Sequence, residues 1–232
     1  MLVNLHKDAK KLGNKDKAKT LSGFFKTGEG EYGFGDVFLG IPVPESRKLA
    51  IKYKDLNFDE LAQLLRSEIH EERLIALLIL VHQFQTDEML QRRVYEFYLK
   101  NTKFVNNWDL VDLSADKIIG VYLIDKPKTV LYKLVKSSNL WERRIAMIST
   151  YNFIKNKEFD DTLSIAEILI ADENDLIQKA VGWMLREVGN RDLKTEEKFL
   201  KIHYKNMGRT ALRYAIEKFP EKTRLSYLTG KV

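Results

Sequence analysis

The stretch DLIQKAVGWMLREV, residues 175–188, decides how the rest of the chain is read. Turned at about 100° per residue, Ile177, Ala180, Val181, Met184 and Val188 fall on one stripe. That is an amphipathic helix with one face in a core. Nearly every segment after residue 42 has the same character, and almost nothing alternates with the period of two that a strand needs. The four prolines and most of the glycines stand between these segments or at their ends. The pattern predicts helices near residues 3–11, 14–26, 43–54, 57–67, 70–85, 87–100, 107–124, 127–136, 140–155, 158–170, 174–189, 194–206, 209–219 and 221–228.

The later helices pair. The second helix of each pair begins near residues 70, 107, 140, 174 and 209, a period of roughly 33 to 37, the length of a helix–turn–helix repeat of the HEAT or TPR kind. A pair of this size cannot bury its apolar face alone, so pairs stack on one another. The expected fold is all-α, a curved α-solenoid of stacked antiparallel helix pairs with HEAT-like repeats. It is read as a single domain over residues 1–232. Residues 1–41 form a helical cap with a Gly-rich loop, and residues 42–232 carry the repeats. The second helices would line one wall, and a ligand would lie there.

Composition narrows the classes. Of 232 residues, 44% are hydrophobic, enough for a large or continuous core, and 31% are charged, too many for a membrane protein. The longest apolar run, LIALLILV at residues 74–81, falls far short of the roughly 18 residues that span a bilayer. No charged start followed by an apolar stretch opens the chain, so a secretion signal is not expected and the expected location is the cytoplasm. There is no cysteine, which excludes disulfides, Cys-ligated metal and a thiol nucleophile. The four histidines are scattered, and HEER at residues 70–73 does not continue to a second His. No metal and no cofactor are expected. The net charge of +6 suits a polyanionic partner only if the positive charge gathers on one surface.

GEGEYGFG, residues 28–35, contains G-x-G-x-x-G. A dinucleotide fingerprint needs a strand before it and a helix opening directly after it, whereas an amphipathic helix precedes this stretch and DVFLGIPVP follows. Glu29 and Glu31 would also repel a pyrophosphate. The expectation is a surface loop.

Three tryptophans carry the rest. In residues 175–188, Trp183 stands away from the core stripe, with Lys179 one turn before and Arg186 one turn after. A solitary indole on a polar face, interleaved with cations, suits the sugars and phosphates of a nucleic acid. The alternative is that a terminal segment covers it. In residues 107–124 the stripe is Val111, Ala115, Ile118, Ile119 and Tyr122. Trp108 lies at its margin, and Asp112 lies further out on the same side. For Trp108 alone, a place at the edge of a core is the favoured reading. Trp141 lies mid-stripe with Ile145 and Ile148 and belongs to the core. Arg144 flanks that stripe, and Arg143 points more to solvent. With Lys179, Arg186, Arg209 and Arg213, Arg144 would make a basic track along one wall, whose phosphate binding would depend on salt.

FLGIPVPESRKLA (38–50), NNWDLVD (106–112), LWERRIA (140–146) and IQKAVGWMLRE (177–187) occur in this order. Together they resemble the motifs of the DNA alkylation repair family, the AlkD-type DNA glycosylases, over residues 21–219. The resemblance implies HEAT-like repeats gripping duplex DNA in a basic concave groove, and excision of N3- and N7-alkylated purines. It implies that Asp112 is the catalytic aspartate, that Trp108 and Trp183 hold the lesion's backbone, and that Arg144 contacts phosphate. An aromatic on the second helix, a tyrosine in some members, matches Phe24. Phe24 has no hydroxyl to donate and would only pack against DNA.

The chemistry needs few residues. Most glycoside hydrolysis uses two carboxyl groups. A purine alkylated at N3 or N7 is already cationic and leaves as a neutral base, so no general acid is required. One carboxylate, Asp112, would stabilise the oxocarbenium-like sugar and place water. The indoles of Trp108 and Trp183 would flank the sugar, each adding cation–π attraction on the order of 0.5–2 kcal/mol. No lysine is placed for strand-cleaving lyase chemistry, so a monofunctional enzyme working as a monomer on double-stranded DNA with alkylated purines is expected. Two alternatives remain. One is a non-catalytic HEAT-repeat module binding duplex or branched DNA. The other is a scaffold whose basic wall meets an acidic protein.

Overall fold

The computed structural model describes residues 1–232, an all-α chain that divides into two compact units at residues 114 and 115. No helix is long and apolar enough to cross a membrane.

The first unit, Met1–Ser114, holds α1 (Leu2–Leu12), α2 (Lys15–Phe24), α3 (Val43–Lys52), α4 (Phe58–Leu65), α5 (His70–Thr86), α6 (Gln91–Lys100) and α7 (Trp108–Asp112). Its centre is α5, which carries the apolar run and is buried at every residue from 70 to 81. A helix apolar on all sides belongs inside, and α3, α4, α6 and α7 all pack on it. Local signals set the ends. Asn57 and Glu60 close a capping box on α4, and the Asn14 side chain caps α2. Gly40 has φ +84°, and a Cβ there would lie 2.1 Å from the Asn14 carbonyl oxygen. Only glycine lets the FLGIP segment pass so close to the start of α2.

The second unit, Ala115–Val232, opens with a π-helical turn at Asp116–Gly120. It continues through α8 (Val121–Leu123), α9 (Thr129–Leu134), α10 (Leu140–Ser149), α11 (Tyr151–Lys155), α12 (Asp160–Leu169), α13 (Asp175–Gly189), α14 (Leu193–His203), α15 (Arg209–Ala215) and α16 (Glu221–Thr229). Second helices α10, α13 and α15 pack on one another in chain order, while α9 packs on α10 and both α12 and α14 pack on α13. Asn139 and Asn174 cap α10 and α13 with their side chains, so the repeat carries a repeated start signal. The stripe Ile177, Ala180, Val181, Met184 and Val188 is wholly buried. Opposite it, Gly182 brings α13 against α15, where a Cβ would sit 2.3 Å from the Ala211 carbonyl oxygen. Trp141 is buried in the core as expected.

Two expected helices are interrupted. The helix over 107–124 stops at Asp112, turns at Leu113 and Ser114, and resumes as the π turn. The buried Ser114 hydroxyl bonds back to the Leu110 carbonyl and pairs with the Tyr98 hydroxyl at 2.9 Å. Such back-bonding competes with the regular ladder and bends a helix. The helix over 140–155 breaks at Thr150, whose hydroxyl donates to the Met147 carbonyl. Hydrophobic periodicity carries no sign of either event.

Candidate functional site

In the first unit the site begins at Asn107, whose extended backbone and side chain cap α7 by accepting from the Trp108 N–H at 2.8 Å. Four residues on, Asp112 shares the face of Trp108, and both side chains are half-buried. Asp109, Leu110 and Val111 take the buried face. Trp108 is therefore neither a core residue nor a free one.

Behind Trp108 stands a pile of rings. Its indole stacks on Phe25 at 5.2 Å, Phe25 stacks on Phe38 at 5.0 Å, and Phe38 stacks on the imidazole of His70 at 4.6 Å. Phe24, 62% exposed, sets its ring edge-on to Trp108 at 5.9 Å. The sequence motifs at 24 and 108 thus meet on one surface. Phe38 is held because the carboxylate of Glu71 accepts from the backbone N–H groups of Leu39, Gly40 and Ile41 at 3.0, 2.7 and 3.1 Å.

Under the pile lies a buried ionic cluster. His70 contacts the Asp36 carboxylate through Nδ1 at 3.0 Å and the Asp109 carboxylate through Nε2 at 2.8 Å. Arg73 donates to Asp36 at 2.6 Å, and the Asn107 amide donates to it at 3.2 Å. Burial pushes the His70 imidazole down, but the hydrogen bonds to Asp109 and Asp36 outweigh it and hold the ring above its ordinary value. Burial likewise pushes Asp36 up, and its contacts with His70, Arg73 and Asn107 bring it below the usual carboxylate range. The contacts thus favour the protonated form of His70 and the ionised form of Asp36. No group of three His, Asp or Glu side chains is arranged to hold a metal ion.

The segment HEER, read in the sequence only as an incomplete metal motif, is therefore a structural hub. All four of its side chains are buried, with Glu72 accepting from the Ser67 hydroxyl at 2.6 Å. The signal was present in the sequence. Four polar residues opening the most apolar helix must all find partners inside. The Gly-rich stretch 28–35 is a surface loop, and it runs directly into Asp36 of this cluster.

In the second unit, Trp183 is half-buried on α13. Its indole N–H donates to Glu187 at 3.3 Å, and its ring lies 6.0 Å from that of Tyr151. Tyr151 also carries the Lys155 ammonium at 4.8 Å and the Arg191 guanidinium at 5.7 Å. The cations here gather on Tyr151 rather than on Trp183, and each also pairs with an acid, Lys155 with Asp116 at 3.1 Å and Arg191 with Glu187 at 2.8 Å.

The expected basic track differs from its reading. Arg144, placed at the flank of its stripe, is only 5% exposed and donates to the Leu176 carbonyl, tying α10 to the start of α13. Arg143, expected in solvent, pairs with Asp172 at 2.7 Å. Lys179 pairs with Asp175 at 2.8 Å, and Arg186 pairs with Glu217. Arg209 and Arg213 are exposed, with Arg209 donating to the Leu228 carbonyl at 2.7 Å. A wheel places charges on a face and is blind to the acids that neighbouring turns bring to them.

The model of a family described as DNA alkylation repair enzyme matches residues 5–219. No curated protein sequence matches the chain. Among solved structures, the chain is similar to a predicted DNA alkylation repair enzyme from Enterococcus faecalis, with a TM-score of 0.67 and 19% identity over 90% of this chain and 97% of that one. It is also similar to AlkD2 from Streptococcus mutans, with a TM-score of 0.58 and 18% identity over 89% of this chain and 99% of that one. A third likeness is to smu.31 from Streptococcus mutans UA159, with a TM-score of 0.55 and 18% identity over 75% and 89%. At these identities the structural likeness shows the fold alone.

Proposed function

Since the chain belongs to the DNA alkylation repair enzyme family, we propose that it is a monofunctional DNA glycosylase that hydrolyses the N-glycosidic bond of cationic N3- and N7-alkylated purines in duplex DNA. The observation that carries this reading is the pairing of Trp108 with Asp112. They lie one turn apart on one face of a short helix, both half-buried, with the indole backed by stacked rings. An acid in a surface meant for phosphates weakens DNA binding, so its presence there asks for a chemical role.

That role follows from the substrate. The bond from C1′ to the base nitrogen breaks with its electron pair going to the purine, which thereby loses its positive charge and departs neutral. The sugar is left oxocarbenium-like. The Asp112 carboxylate stabilises that cation and orients a water whose oxygen bonds to C1′ while its proton passes to the carboxylate or to solvent. Trp108 offers its ring face to the same developing charge, on the order of 0.5–2 kcal/mol. Because the leaving group needs no proton, neither a general acid nor a Lewis acid is required. Phe24 supplies an exposed apolar contact, and Trp183 offers an aromatic surface to the sugar–phosphate backbone. Arg209 and Arg213 are exposed for phosphate, while Lys179 and Arg186 would exchange a carboxylate partner for one.

The test is release of free 7-methylguanine and 3-methyladenine from methylated duplex DNA by the native protein and by Asp112→Asn. The expected loss in the variant is about 100-fold or more, with DNA binding kept or tightened. Salt-sensitive DNA binding without release by the native protein would instead identify a non-catalytic binding module.

A further inference from the structure

We propose that His70 is a positioning residue, clasped between Asp36 and Asp109 so that it fixes the start of α7 and with it the indole of Trp108. Its consequence for catalysis rests on the glycosylase reading, but the positioning can be measured without it.

Helix α7 has five residues. A helix that short does not hold itself in water, so its direction is set by what grips it. Both residues that flank Trp108 are gripped by the same cluster. Asp109 meets His70 Nε2 at 2.8 Å, and the side chain of Asn107, the cap, donates to Asp36, which meets His70 Nδ1. The ring beneath Trp108, Phe25, also lies 4.9 Å from the His70 imidazole. His70 therefore touches the supports of Trp108 from three sides, and Asp112 moves with the same helix.

The grip depends on a proton. An imidazolium donates from both nitrogens, whereas a neutral imidazole donates from one and presents a lone pair from the other. Both nitrogens of His70 face carboxylates. Losing the proton sets a lone pair against Asp36 or Asp109 and leaves the cluster with two acids and only Arg73 as a cation. The groups facing His70 are Asp36 from the loop, Asp109 from α7, Arg73 from its own helix, and the rings of Phe25 and Phe38. The contacts that hold His70 above its ordinary value delay this loss to above about pH 6.5. Below that the clasp is closed. As pH rises through the value of the folded protein, one contact opens and Trp108 is released from its position.

The experiment uses the full chain labelled with 5-fluorotryptophan, the Trp108 resonance being assigned by its loss in Trp108→Phe. Fluorine NMR from about pH 5.5 to about pH 9.5 brackets the imidazole. The Trp108 resonance is expected to titrate with a midpoint above that of an ordinary histidine, in a transition not shared by Trp141 and Trp183. In Asp109→Asn the midpoint is expected to fall, and in His70→Gln the transition disappears. Should His70→Gln fail to fold, the native chain and Asp109→Asn carry the test. Release of 7-methylguanine is expected to decline across the same midpoint in kcat with little change in KM, by roughly 10- to 100-fold. A Trp108 resonance that stays still, or whose midpoint is unmoved in Asp109→Asn, overturns the proposal. So does release that ignores a moving resonance. A resonance that titrates as described in a protein that releases no base upholds the clasp and defeats the glycosylase reading.

Discussion

The indole of Trp108 lies flat on the ring of Phe25, with centroids 5.2 Å apart and planes 14° from parallel. Neighbouring Phe24 meets the same indole edge-on. Two adjacent phenylalanines thus serve one tryptophan in different ways, since Phe25 is buried and Phe24 is open to solvent.

Phe25→Ala removes the middle of the ring pile and is expected to destabilise the fold by about 3–5 kcal/mol. Phe24→Ala is expected to change stability by less than about 1 kcal/mol while weakening binding to duplex DNA several-fold. Urea unfolding and a binding titration on both variants separate the two roles.

Glu71 anchors the FLGIP segment through three backbone N–H groups at once. Glu71→Gln keeps the shape but offers one acceptor oxygen and removes the charge. The expected cost is about 1–3 kcal/mol in chemical unfolding. Amide exchange at Leu39, Gly40 and Ile41 should rise more than elsewhere in the first unit.

The exposed Arg213 and the buried Arg144 should behave oppositely. If Arg213 contacts phosphate, Arg213→Ala reduces the slope of log affinity against log salt by about 1 and leaves thermal stability unchanged. Arg144→Ala removes a buried guanidinium together with its charge-assisted bond to the Leu176 carbonyl and is expected to cost about 2 kcal/mol or more of stability. Salt titrations and melting curves on the pair decide both points.

Glu196 on α14 is buried against Gly189 with Oε1 lacking a hydrogen-bond partner, and this burial pushes its carboxyl up to about 8, against 4.5 ordinarily. The unfolded chain therefore sheds this proton first as pH rises. Stability falls between about pH 4.5 and about pH 8 and then levels off. Glu196→Gln, isosteric and without that proton, should match the native protein near the acid end and exceed it by up to about 5 kcal/mol at alkaline pH. A difference that does not grow with pH would show that Glu196 is ionised in the fold.

Much of this was legible along the chain. The stripe in residues 175–188, the period of the second helices and the placement of Trp141 all rest on neighbours within a turn or two, which a periodicity reads directly. Asn107, Asn139 and Asn174 cap helices just where the period places them. Trp108 and Asp112 share a face because four residues make about one turn.

Tertiary structure decided the rest. That Trp108 rests on Phe25, and that His70 joins Asp36 to Asp109, depends on segments dozens of residues apart being folded together. No local pattern encodes those distances. The same holds for charge: Arg144 looked like a surface cation and is buried on a carbonyl, because a side chain's partners are fixed by packing. Periodicity reports which face of a helix is apolar. Which polar group then meets which is settled only when burial strips away water and every donor and acceptor must find a partner inside.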